Sequence, residues 1–454
     1  MTNKQTLTDL KNALPELDWV TSPIHVKRLS KDFFWFSPLL QEQLTGKHAD
    51  IAVRPKSEDE LKALIATCVE LNINVTLRGG GTGNYGQSVP LEGGVQIDLS
   101  QYNQINWLKD GIVSVQPGMK IGDLEEQVRL EGFEMRCMPS TYKMATVGGL
   151  FAGGFGGIGS INYGPISAPG TVQSIRVMTI EESPKIIELT GQETLTFHHS
   201  YGTNGIIIGL EIALAPAKAW NEYMLAFGNI EDAFHFANAL AKSVGIEKRE
   251  ISLYDPNSAR HFPEAAASLE ATEFLVISLI NANGTQALEH LLAKHQGRIA
   301  WSQTFAEMQE KQHTLIEYCW NHSTLHAMKE DKSLTHLQAN YDGENTLSQL
   351  ASIKESVGDE VQVHLEFIRL ANDSVAIVGI PLVRYSTPER LTEIMALHNE
   401  FGIKIDNSHV YTLEDGKHGG SLNETILESK KANDPHMLLN PGKIRSIETA
   451  ESIA

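Results

Sequence analysis

A chain of 454 residues is too long for one hydrophobic core, because single cores stop growing at about 250–300 residues, so we expect two or three folded units. Hydrophobic residues make up 41% of the chain and charged residues 20%, which is close to the globular average and excludes a disordered, collagen-like or coiled-coil protein. The 37 Lys and Arg against 56 Asp and Glu give a net charge of −19; such a surface repels phosphate backbones, so nucleic acid is not an expected partner.

Cysteine usage and the N-terminus predict a cytoplasmic protein. Cys68, Cys137 and Cys319 are far apart and form no C-x-x-C pair, so we expect no disulfide framework, zinc site or iron–sulfur cluster on this chain. The first ten residues lack the apolar stretch of a secretory signal. The uncharged run Met144–Ile175 is rich in glycine and interrupted by prolines, so we interpret it as ligand-facing backbone and expect no transmembrane segment.

The first predicted element is a helical lead-in over residues 1–48. Leucines recur at helical spacing between Leu7 and Leu17, and the aromatic cluster Phe33–Phe36 is assigned to the core. Residues 49–218 follow with short strands, helices and glycine-rich connections, which predicts an α+β domain. Its elements are strands at Ile51–Val53, Val75–Leu77, Val95–Leu99, Ile112–Val115, Ser174–Thr179 and Ile206–Leu214, a helix after the capping box Ser57–Glu60, and a helix over Ile121–Glu131 that stops at Gly132.

A second α+β domain is predicted for residues 219–405, where the glycine density falls. Its elements are helices at Ile230–Val244, Thr285–His295 and Pro388–Phe401, and strands at Val361–Leu370 and Val375–Tyr385 joined by a hairpin-like turn. Residues 406–454 then form a C-terminal segment with two distinctive runs, Asn407–Gly416 and Asp434–Lys443.

The loop Arg78–Gly86 contains G-x-G-x-x-G but lacks the context of a dinucleotide fingerprint. That fingerprint requires a helix directly after the glycines, whereas Pro90 and a glycine pair come next here. A P-loop is excluded because no G-K-[ST] ends the run. The remaining interpretation is a nest of backbone N–H groups that can hold phosphate oxygens, with Arg78 adding fixed charge. A tight turn is the alternative, but it does not need so many glycines, each of which costs entropy.

A second glycine-rich loop, Thr146–Gly159, is followed by Tyr163 and Gly164. It also contains G-x-G-x-x-G, and again no amphipathic helix comes after it. We expect close backbone approach to a large flat ligand, with the apolar side chains Phe151, Phe155 and Ile158 packed behind the loop. Two such loops in one domain predict a long ligand with phosphate at one end and a ring at the other.

These motifs resemble the FAD-binding domain of the vanillyl-alcohol oxidase / p-cresol methylhydroxylase (PCMH) superfamily, nearest to the branch of the D-lactate dehydrogenases and the glycolate oxidase flavin subunit. The matching motifs, in chain order, are Val53–Pro55, Arg78–Gly83, Gly94–Leu99, Gln116–Gly118, Thr146–Gly149, Tyr163–Gly164, Tyr201–Ile206 and Leu439–Lys443. The resemblance implies a PCMH-type two-part FAD-binding domain, an α+β substrate domain, here called the cap, and a C-terminal segment that returns to the flavin.

The resemblance also implies which residues bind FAD. The first loop takes the pyrophosphate, the second lies along the isoalloxazine ring and ribityl chain, and the tail returns to them. The implied contacts are Arg78, Gly79, Gly80, Gly81, Thr82, Gly83, Asn84, Gln87, Ser88, Pro139, Ser140, Thr146, Gly148, Gly149, Gly153, Gly156, Tyr163, Gly205, Ile206, Asn440 and Lys443.

The chain departs from the family pattern in two places. Thr82 occupies the position of the histidine that attaches flavin covalently in some members, and no cysteine occurs in Lys143–Val147, so we expect dissociable, non-covalent FAD. The H-x-G-D-G-N-x-H metal signature of the glycolate oxidase branch is absent. His198, His199 and His418 have no carboxylate or cysteine partners at ligand spacing, so no metal is expected.

Flavin-dependent oxidation of an alcohol needs a base for the hydroxyl proton, and three regions offer candidates. If Asn407–Asp415 is extended, His409 shares a face with Tyr411, which gives a tunable base beside a phenol; a surface strand is the alternative. His364 and Glu366 also share a face, although such a pair is often a satisfied core contact. Arg384 ends a strand and could clamp a substrate carboxylate; a solvated strand end is the alternative.

The sequence therefore predicts an FAD-dependent dehydrogenase or oxidase of a small hydroxy compound, with a 2-hydroxy acid as the first substrate class. Hydride would pass to flavin N5, and the electrons to a quinone, a cytochrome, an electron-transfer flavoprotein or oxygen. One alternative is an oxygen-using oxidase of aromatic alcohols or polyols. Another is an electron-transfer subunit of a larger complex, which the presence of a whole cap domain argues against. A homodimer is one arrangement that the sequence leaves open.

Overall fold

The computed structural model describes residues 2–417 and 419–447 of the chain. Helices and strands alternate along these residues, and the predicted α+β class is confirmed. Strands of the N-terminal part form two sheets among these residues, and the cap adds a larger antiparallel sheet with a smaller one beside it. Within the described part of the chain, none of the helices has both the length and the apolarity that crossing a bilayer requires.

The lead-in contains a strand as well as helices, which corrects the purely helical prediction. Strand Asp18–Val20 pairs antiparallel with Ile51–Arg54 and so extends the first sheet. Its three residues are too few to give a period-two pattern, which is why the sequence does not reveal it. The helical elements of the lead-in are Lys4–Ala13, Pro23–Leu29, the 3-10 turn Phe34–Phe36 and Pro38–Leu44.

The first sheet positions the first glycine loop. Strands Ile51–Arg54, Val95–Asp98 and Val75–Arg78 run parallel in that order, and helix Glu58–Glu70 makes the crossover. The predicted apolar face of that helix is fully buried and consists of Leu61, Leu64, Ile65 and Cys68. Because the loop begins where strand Val75–Arg78 ends, the crossover unit holds the start of the loop in a fixed place.

The second sheet supports the second glycine-rich run. Its strands, in order, are Ile105–Lys109, Ile112–Val115, Ile206–Pro216, Val172–Met178 and Ile186–Thr190, with Phe133–Met135 paired to the end of the long strand. Helix Ile121–Leu130 ends before Gly132, whose φ of 82° is the left-handed value that suits glycine. Two 3-10 turns, Leu99–Gln101 and Gly191–Phe197, complete this part.

The second glycine-rich run is not wholly a loop, which corrects the prediction. Val147–Gly153 forms a short helix, and the Thr146 hydroxyl caps it by accepting from the Gly149 N–H at 3.3 Å. A single turn, Ser160–Tyr163, comes after it. Repeated small residues obscure the helical period, because glycine contributes no side chain to either face.

The cap is built on an antiparallel sheet that the sequence reveals only in part. Its strands, in order, are Arg298–Gln303, Trp220–Phe227, Phe274–Asn281, Lys248–Tyr254, His364–Arg369, Val375–Gly379, Gln338–Tyr341 and Lys404–Asp406. A smaller sheet contains Leu334–His336, Leu382–Arg384 and Val361–Gln362. The predicted strand Val375–Tyr385 is therefore two strands in two sheets, separated at Pro381, which has no N–H to continue a ladder.

Helices cover the cap sheet and include the three that the sequence predicts, within two residues at each end. They are Ile230–Lys242, Pro256–Ala259, Pro263–Ser268, Thr285–Lys294, Phe305–Lys311, His322–Glu330, Thr346–Val357 and Pro388–Glu400, with 3-10 turns at Ala282–Gly284, Leu315–Tyr318 and Gly358–Glu360.

The C-terminal segment returns to the first sheet. The run Asn407–Asp415 is not extended, which corrects the prediction: it is irregular as far as Thr412 and then enters helix Leu413–Gly416. Helix Glu424–Asn433 comes later in the segment. Beyond them the Val75 N–H donates to the Leu438 carbonyl at 2.9 Å, and the Asn440 N–H donates to the Val75 carbonyl at 2.7 Å. The tail therefore lies along the strand from which the first glycine loop emerges.

A buried ion network joins the cap to the N-terminal part. Arg249, on cap strand Lys248–Tyr254, donates from Nη2 to Glu125 Oε1 at 2.8 Å and lies 3.8 Å from Glu134. Arg129 contacts both carboxylates from the other side, and the Trp220 indole N–H donates to Glu134 at 2.9 Å. All these groups except Arg129 are buried, so the network fixes the two parts against each other.

Candidate functional site

A cavity of about 760 Å³ lies between the glycine-rich segments and the cap. This volume is within the range of about 300–1,000 Å³ that ligand sites usually have. Its walls come from the lead-in, both glycine-rich segments, the residues before strand Ile206–Pro216, the cap and the C-terminal segment. It is the convergence point of segments that are far apart in the sequence.

Most of the FAD contacts predicted from the sequence lie in the wall of this cavity. Those that do are Arg78, Gly79, Gly80, Gly81, Thr82, Gly83, Asn84, Gln87, Ser88, Pro139, Ser140, Thr146, Gly148, Gly149, Gly153, Gly156 and Gly205. Motifs that are spread along the sequence therefore contribute to one continuous surface. Their contact with FAD itself stays a prediction.

The two glycine-rich segments approach each other so closely that side chains are excluded. A Cβ on Gly80 would lie 2.1 Å from the Met144 carbonyl oxygen, and a Cβ on Gly79 would lie 2.1 Å from the Thr146 hydroxyl. Gly81 has a φ of 64° in the left-handed region. The glycines are therefore required by the backbone packing that shapes the cavity.

Four predicted FAD contacts do not line the cavity. Asn440 donates from Nδ2 to the Gln87 and Tyr201 carbonyls, and Lys443 donates from Nζ to the Gly86 carbonyl at 2.6 Å. Ile206 is fully buried in the sheet core, although its neighbours Gly205 and Ile207 reach the cavity. Tyr163 lies outside the wall, with the Arg136 guanidinium 5.6 Å from its ring centroid.

The lead-in binds the first glycine loop through a segment that we call the strap, residues 29–37. The Arg78 guanidinium donates to the carbonyls of Leu29 and Lys31, and the Phe33 N–H donates to the Gly83 carbonyl at 2.7 Å. The Asp32 carboxyl, buried in the cavity wall, accepts from the Ser88 N–H. Burial raises the pKa of Asp32, and the nearby Lys443 ammonium opposes this shift.

The aromatic cluster of the strap is only partly core, which corrects the prediction. Phe34 and Phe36 are buried in core clusters, but Phe36 also lines the cavity together with Phe33, and Trp35 is partly exposed. Phe155 of the second glycine-rich run does not pack behind the loop as predicted, because it is 46% exposed and lines the cavity. The apolar part of the wall is therefore larger than the glycine motifs alone indicate.

The indole ring of Trp320, a cap residue, lies against the second glycine-rich run. A Cβ on Gly156 would lie 2.5 Å from this ring. The φ of Trp320, 52°, is in the left-handed region, where a bulky residue is strained. Buried carboxyl groups hold it there, because its N–H donates to Glu366 at 2.7 Å and its indole N–H donates to Glu250 at 3.1 Å.

His364 and Glu366, two of the predicted catalytic residues, lie behind Trp320 and not in the cavity wall. They hydrogen-bond each other at 2.8 Å, and His364 Nδ1 lies 3.1 Å from the Ser323 hydroxyl. Burial raises the pKa of Glu366 to about 7 and lowers the pKa of His364 to about 3. Their geometry matches the satisfied core contact that the sequence left as an alternative.

His409 and Tyr411 also stand back from the described cavity wall. His409 is buried, its Nδ1 lies 2.8 Å from the Ser37 hydroxyl of the strap, and burial lowers its pKa to about 4. Tyr411 is half-buried, with the Lys443 ammonium 5.3 Å from its ring centroid. The two side chains do not form the shared face of an extended strand.

Arg384 lies away from the cavity. It is 45% exposed, donates to the Asp331 carboxylate at 2.7 Å and borders a small surface depression. This position matches the solvated strand end that the sequence left as an alternative.

Several cavity residues were not anticipated as site residues from the sequence. From the cap these include Trp320, Asn321, His322, Gln338 and Asn340, and from the other segments Asp32, His198, His199, Tyr201, Asp406 and Lys417. Burial lowers the pKa of His198 to about 3 and of His199 to about 4, so both imidazoles are neutral at neutral pH. The pair His198–His199 is visible in the sequence, but only the fold shows that the rings face a ligand cavity.

No group of three His, Cys, Asp or Glu side chains that could hold a metal ion occurs among residues 2–417 and 419–447. The three cysteines are free and buried. His418, which the sequence analysis considered beside His198 and His199, lies outside the described residues.

Comparison with known proteins finds a family model that matches part of the chain and relatives of low sequence identity. Residues 49–188 match the family described as an FAD binding domain. The D-lactate dehydrogenase of Anaerostipes hadrus is 24% identical over 438 residues, which covers 87% of this chain and 89% of that protein. The glycolate oxidase subunit GlcD of Bacillus subtilis (strain 168) is 28% identical over 193 residues, covering 40% of this chain and 41% of that protein.

A structural likeness extends over nearly the whole chain. An alkyldihydroxyacetonephosphate synthase superimposes with a TM-score of 0.72 at 18% sequence identity, covering 98% of this chain and 86% of that chain. At this identity the likeness shows the fold alone. The predicted PCMH-type architecture is confirmed.

The chain is an FAD-dependent oxidoreductase. It contains a PCMH-type FAD-binding domain and is related to D-lactate dehydrogenases and glycolate oxidase subunits, so the resemblance, the enzyme class and the cofactor predicted from the motifs are all confirmed. An enzyme of this class takes a small-molecule substrate and passes electrons to an acceptor.

The cavity fits FAD on its own geometry. Gly80 approaches the backbone of Met144 and Ala145 too closely for a Cβ, and the run Gly79–Gly83 lines the cavity. A glycine-dense run of this kind can turn backbone N–H groups towards phosphate oxygens. Thr82 lines the wall where covalent members carry a histidine. We therefore expect FAD to be held by contacts alone.

Acid precipitation should accordingly release the flavin. Thr82 has no nucleophilic nitrogen, so yellow flavin is expected in the supernatant and a colourless pellet in the precipitate. The measurement is the flavin absorbance of both fractions. A pellet that stays yellow after washing in denaturant would contradict non-covalent binding.

Proposed function

We propose that this enzyme oxidises a small hydroxy compound, in the first place a 2-hydroxy acid, and delivers the electrons to a separate acceptor. The observation that carries the proposal is the single cavity shared by the glycine-rich segments and the cap, which gives a substrate room beside the cofactor. The name of the relative aligned over most of both chains, a D-lactate dehydrogenase, supports the substrate class. When bound, FAD supplies the hydride acceptor, N5.

A neutral polyol or aromatic alcohol is the second candidate substrate, and the cap wall favours it. The polar residues of that wall are the carboxamides Asn321, Gln338 and Asn340, together with Glu317 and His322. Arg78 is the one arginine among the described wall residues, and carbonyls of the strap occupy its guanidinium. Carboxamides suit hydroxyl groups, whereas a carboxylate prefers a free guanidinium.

Anaerobic mixing of the yellow holoprotein with a substrate panel tests both candidates. The panel contains D- and L-2-hydroxy acids, aromatic alcohols and polyols, and the measurement is loss of flavin absorbance. Bleaching by a 2-hydroxy acid supports the first candidate, and bleaching by neutral alcohols alone replaces it with the second. If the whole panel fails while a reduced partner protein bleaches the flavin, the chain is an electron-transfer subunit.

The electron acceptor is tested in the same preparation. After bleaching, oxygen, a quinone analogue, cytochrome c and an electron-transfer flavoprotein are each added, and the return of flavin absorbance is timed. We propose a dehydrogenase, so the return is expected to be slower with oxygen than with at least one of the other three. Fastest return with oxygen would instead make the enzyme an oxidase.

His322 is the histidine of the cap in the described cavity wall, and we propose that it accepts the hydroxyl proton. It lines the cavity at the start of helix His322–Glu330, and burial lowers its pKa, so it is neutral and able to accept a proton. His409, the base proposed from the sequence, does not line the described part of the cavity wall. A general base must reach the proton that it removes, which favours His322.

Replacing His322 by Gln should slow flavin reduction by substrate about 10²–10⁴-fold, the usual cost of losing a general base. The visible spectrum of the bound flavin should be unchanged. His409→Gln is expected to slow reduction less, and stopped-flow absorbance compares the two. If His409→Gln gives the larger loss, the sequence-based assignment to His409 is the correct one.

A further inference from the structure

His336 joins the two sides of the cavity without lining it. It is fully buried at the end of cap strand Leu334–His336. Its Nε2 lies 3.3 Å from Asn84 Nδ2, on the first glycine loop, and 3.2 Å from Asn321 Nδ2, in the cap. Both asparagines line the cavity. One ring nitrogen is thus shared by carboxamides from the two parts of the molecule.

The two carboxamides determine the protonation of this ring. Because Nδ2 of both amides faces it, Nε2 acts as the acceptor for the two asparagines. The ring proton of the neutral imidazole is then on Nδ1, which has no hydrogen-bond partner among the described residues. Burial lowers the pKa of His336 to about 3, and the neighbouring His409 ring, 6.1 Å away between centroids, adds to this shift. The ring is therefore neutral near physiological pH.

The same contacts orient the carboxamides. Asn321 Oδ1 accepts from the Thr324 hydroxyl at 2.6 Å, so this amide is held at both ends. Asn84 is held through its Nδ2, and its side chain lines the cavity. An amide with its nitrogen engaged on one side presents its oxygen on the other as an acceptor.

We propose that His336 is a positioning residue for FAD binding: its unprotonated Nε2 fixes the Asn84 carboxamide so that Oδ1 faces the cavity as an acceptor for an N–H or O–H group of the flavin. The proposal concerns the cofactor and holds for any substrate. It predicts that His336, although it does not reach the cavity, contributes to FAD affinity through Asn84.

Two polar substitutions separate this role from simple packing. The amide of His336→Gln can reach the position of Nε2 and accept from both asparagines, whereas that of His336→Asn ends near the position of Nδ1 and cannot. Equilibrium dialysis of the full-length holoprotein against graded FAD concentrations measures the dissociation constant. His336→Asn should raise it about 5- to 100-fold, since two buried donors lose their acceptor. His336→Gln should stay within about threefold of wild type.

A double-mutant cycle with Asn84→Ala tests the route of the effect. Asn84→Ala alone should weaken FAD binding, and adding His336→Asn should then cost less than about twofold, because the residue that His336 positions is already gone. His398→Asn is the matched control: His398 is equally buried, but its Nδ1 bonds the Ile394 carbonyl within its own helix, so FAD affinity should not change. Equal losses from His336→Asn with and without Asn84, or no loss from Asn84→Ala, would overturn the proposal.

Discussion

Replacing Gly80 by alanine is expected to give a folded protein that binds FAD about 10- to 100-fold more weakly. The new Cβ would lie 2.1 Å from the Met144 carbonyl oxygen and 3.1 Å from the Ala145 Cα, so main chain, not a flexible side chain, has to move. Overpacking of this kind typically costs about 1–3 kcal/mol. The measurement is FAD content after dialysis against a fixed concentration of free FAD, with circular dichroism as the check on folding.

Gly343 provides the matched control for Gly80. A Cβ there would have no heavy atom within 4 Å, so Gly343→Ala should retain FAD. The substitution series can be extended to Gly83, where the added Cβ meets only the end of the flexible Gln87 side chain and a smaller effect is expected. Full FAD occupancy of the Gly80 variant would show that the two glycine-rich segments do not hold the cofactor between them.

Replacing Arg249 by leucine is expected to lower the free energy of unfolding by about 3 kcal/mol. Breaking a buried ion pair leaves the remaining charge without compensation, which usually costs about 3–5 kcal/mol. Arg129 still contacts Glu125 and Glu134 in the variant, so we place the loss at the lower end. Chemical denaturation followed by intrinsic fluorescence measures the change.

Arg298→Leu is the control for Arg249. Arg298 pairs with Glu273 at an exposed position, where ion pairs contribute about 0–1 kcal/mol. Similar losses for the two variants would mean that the buried network contributes no more than a surface pair. Because Arg249 joins the cap to the N-terminal part, we also expect its variant to lose FAD at a lower denaturant concentration than wild type.

The first glycine loop and its crossover unit could be predicted because their signals are local. The apolar spacing from Leu61 to Cys68 describes a helix within one stretch of chain. Pro90 and the glycine pair after the loop Arg78–Gly86 exclude a Rossmann helix. The resemblance added the identity of the ligand, since its motifs occur in order along the chain. Where two backbone segments approach so closely that only glycine fits, the glycine itself is visible in the sequence.

The walls contributed by the cap and the strap could not be predicted, because their roles depend on contacts between distant segments. His336 meets Asn84 across 252 positions of sequence, and His409 meets Ser37 across 372. An aromatic cluster such as Phe33–Phe36 has the composition of a core whether or not one ring faces a cavity. No local pattern distinguishes these cases, so the base was assigned to His409 from its residue type and from its position in a tail expected to return to the flavin.

The strap and the tail determine when the flavin site can be completed during synthesis. Lys443 donates to the Gly86 carbonyl, and Asn440 donates to the Gln87 carbonyl. The first glycine loop is therefore synthesised long before the two tail residues that hydrogen-bond to it. At about 5–20 residues per second, a ribosome needs roughly 20–70 s to proceed from the loop to the tail. Throughout that interval the nascent loop lacks the hydrogen bonds from Asn440 and Lys443. FAD can therefore meet the complete site only after Asn440 and Lys443 have been synthesised.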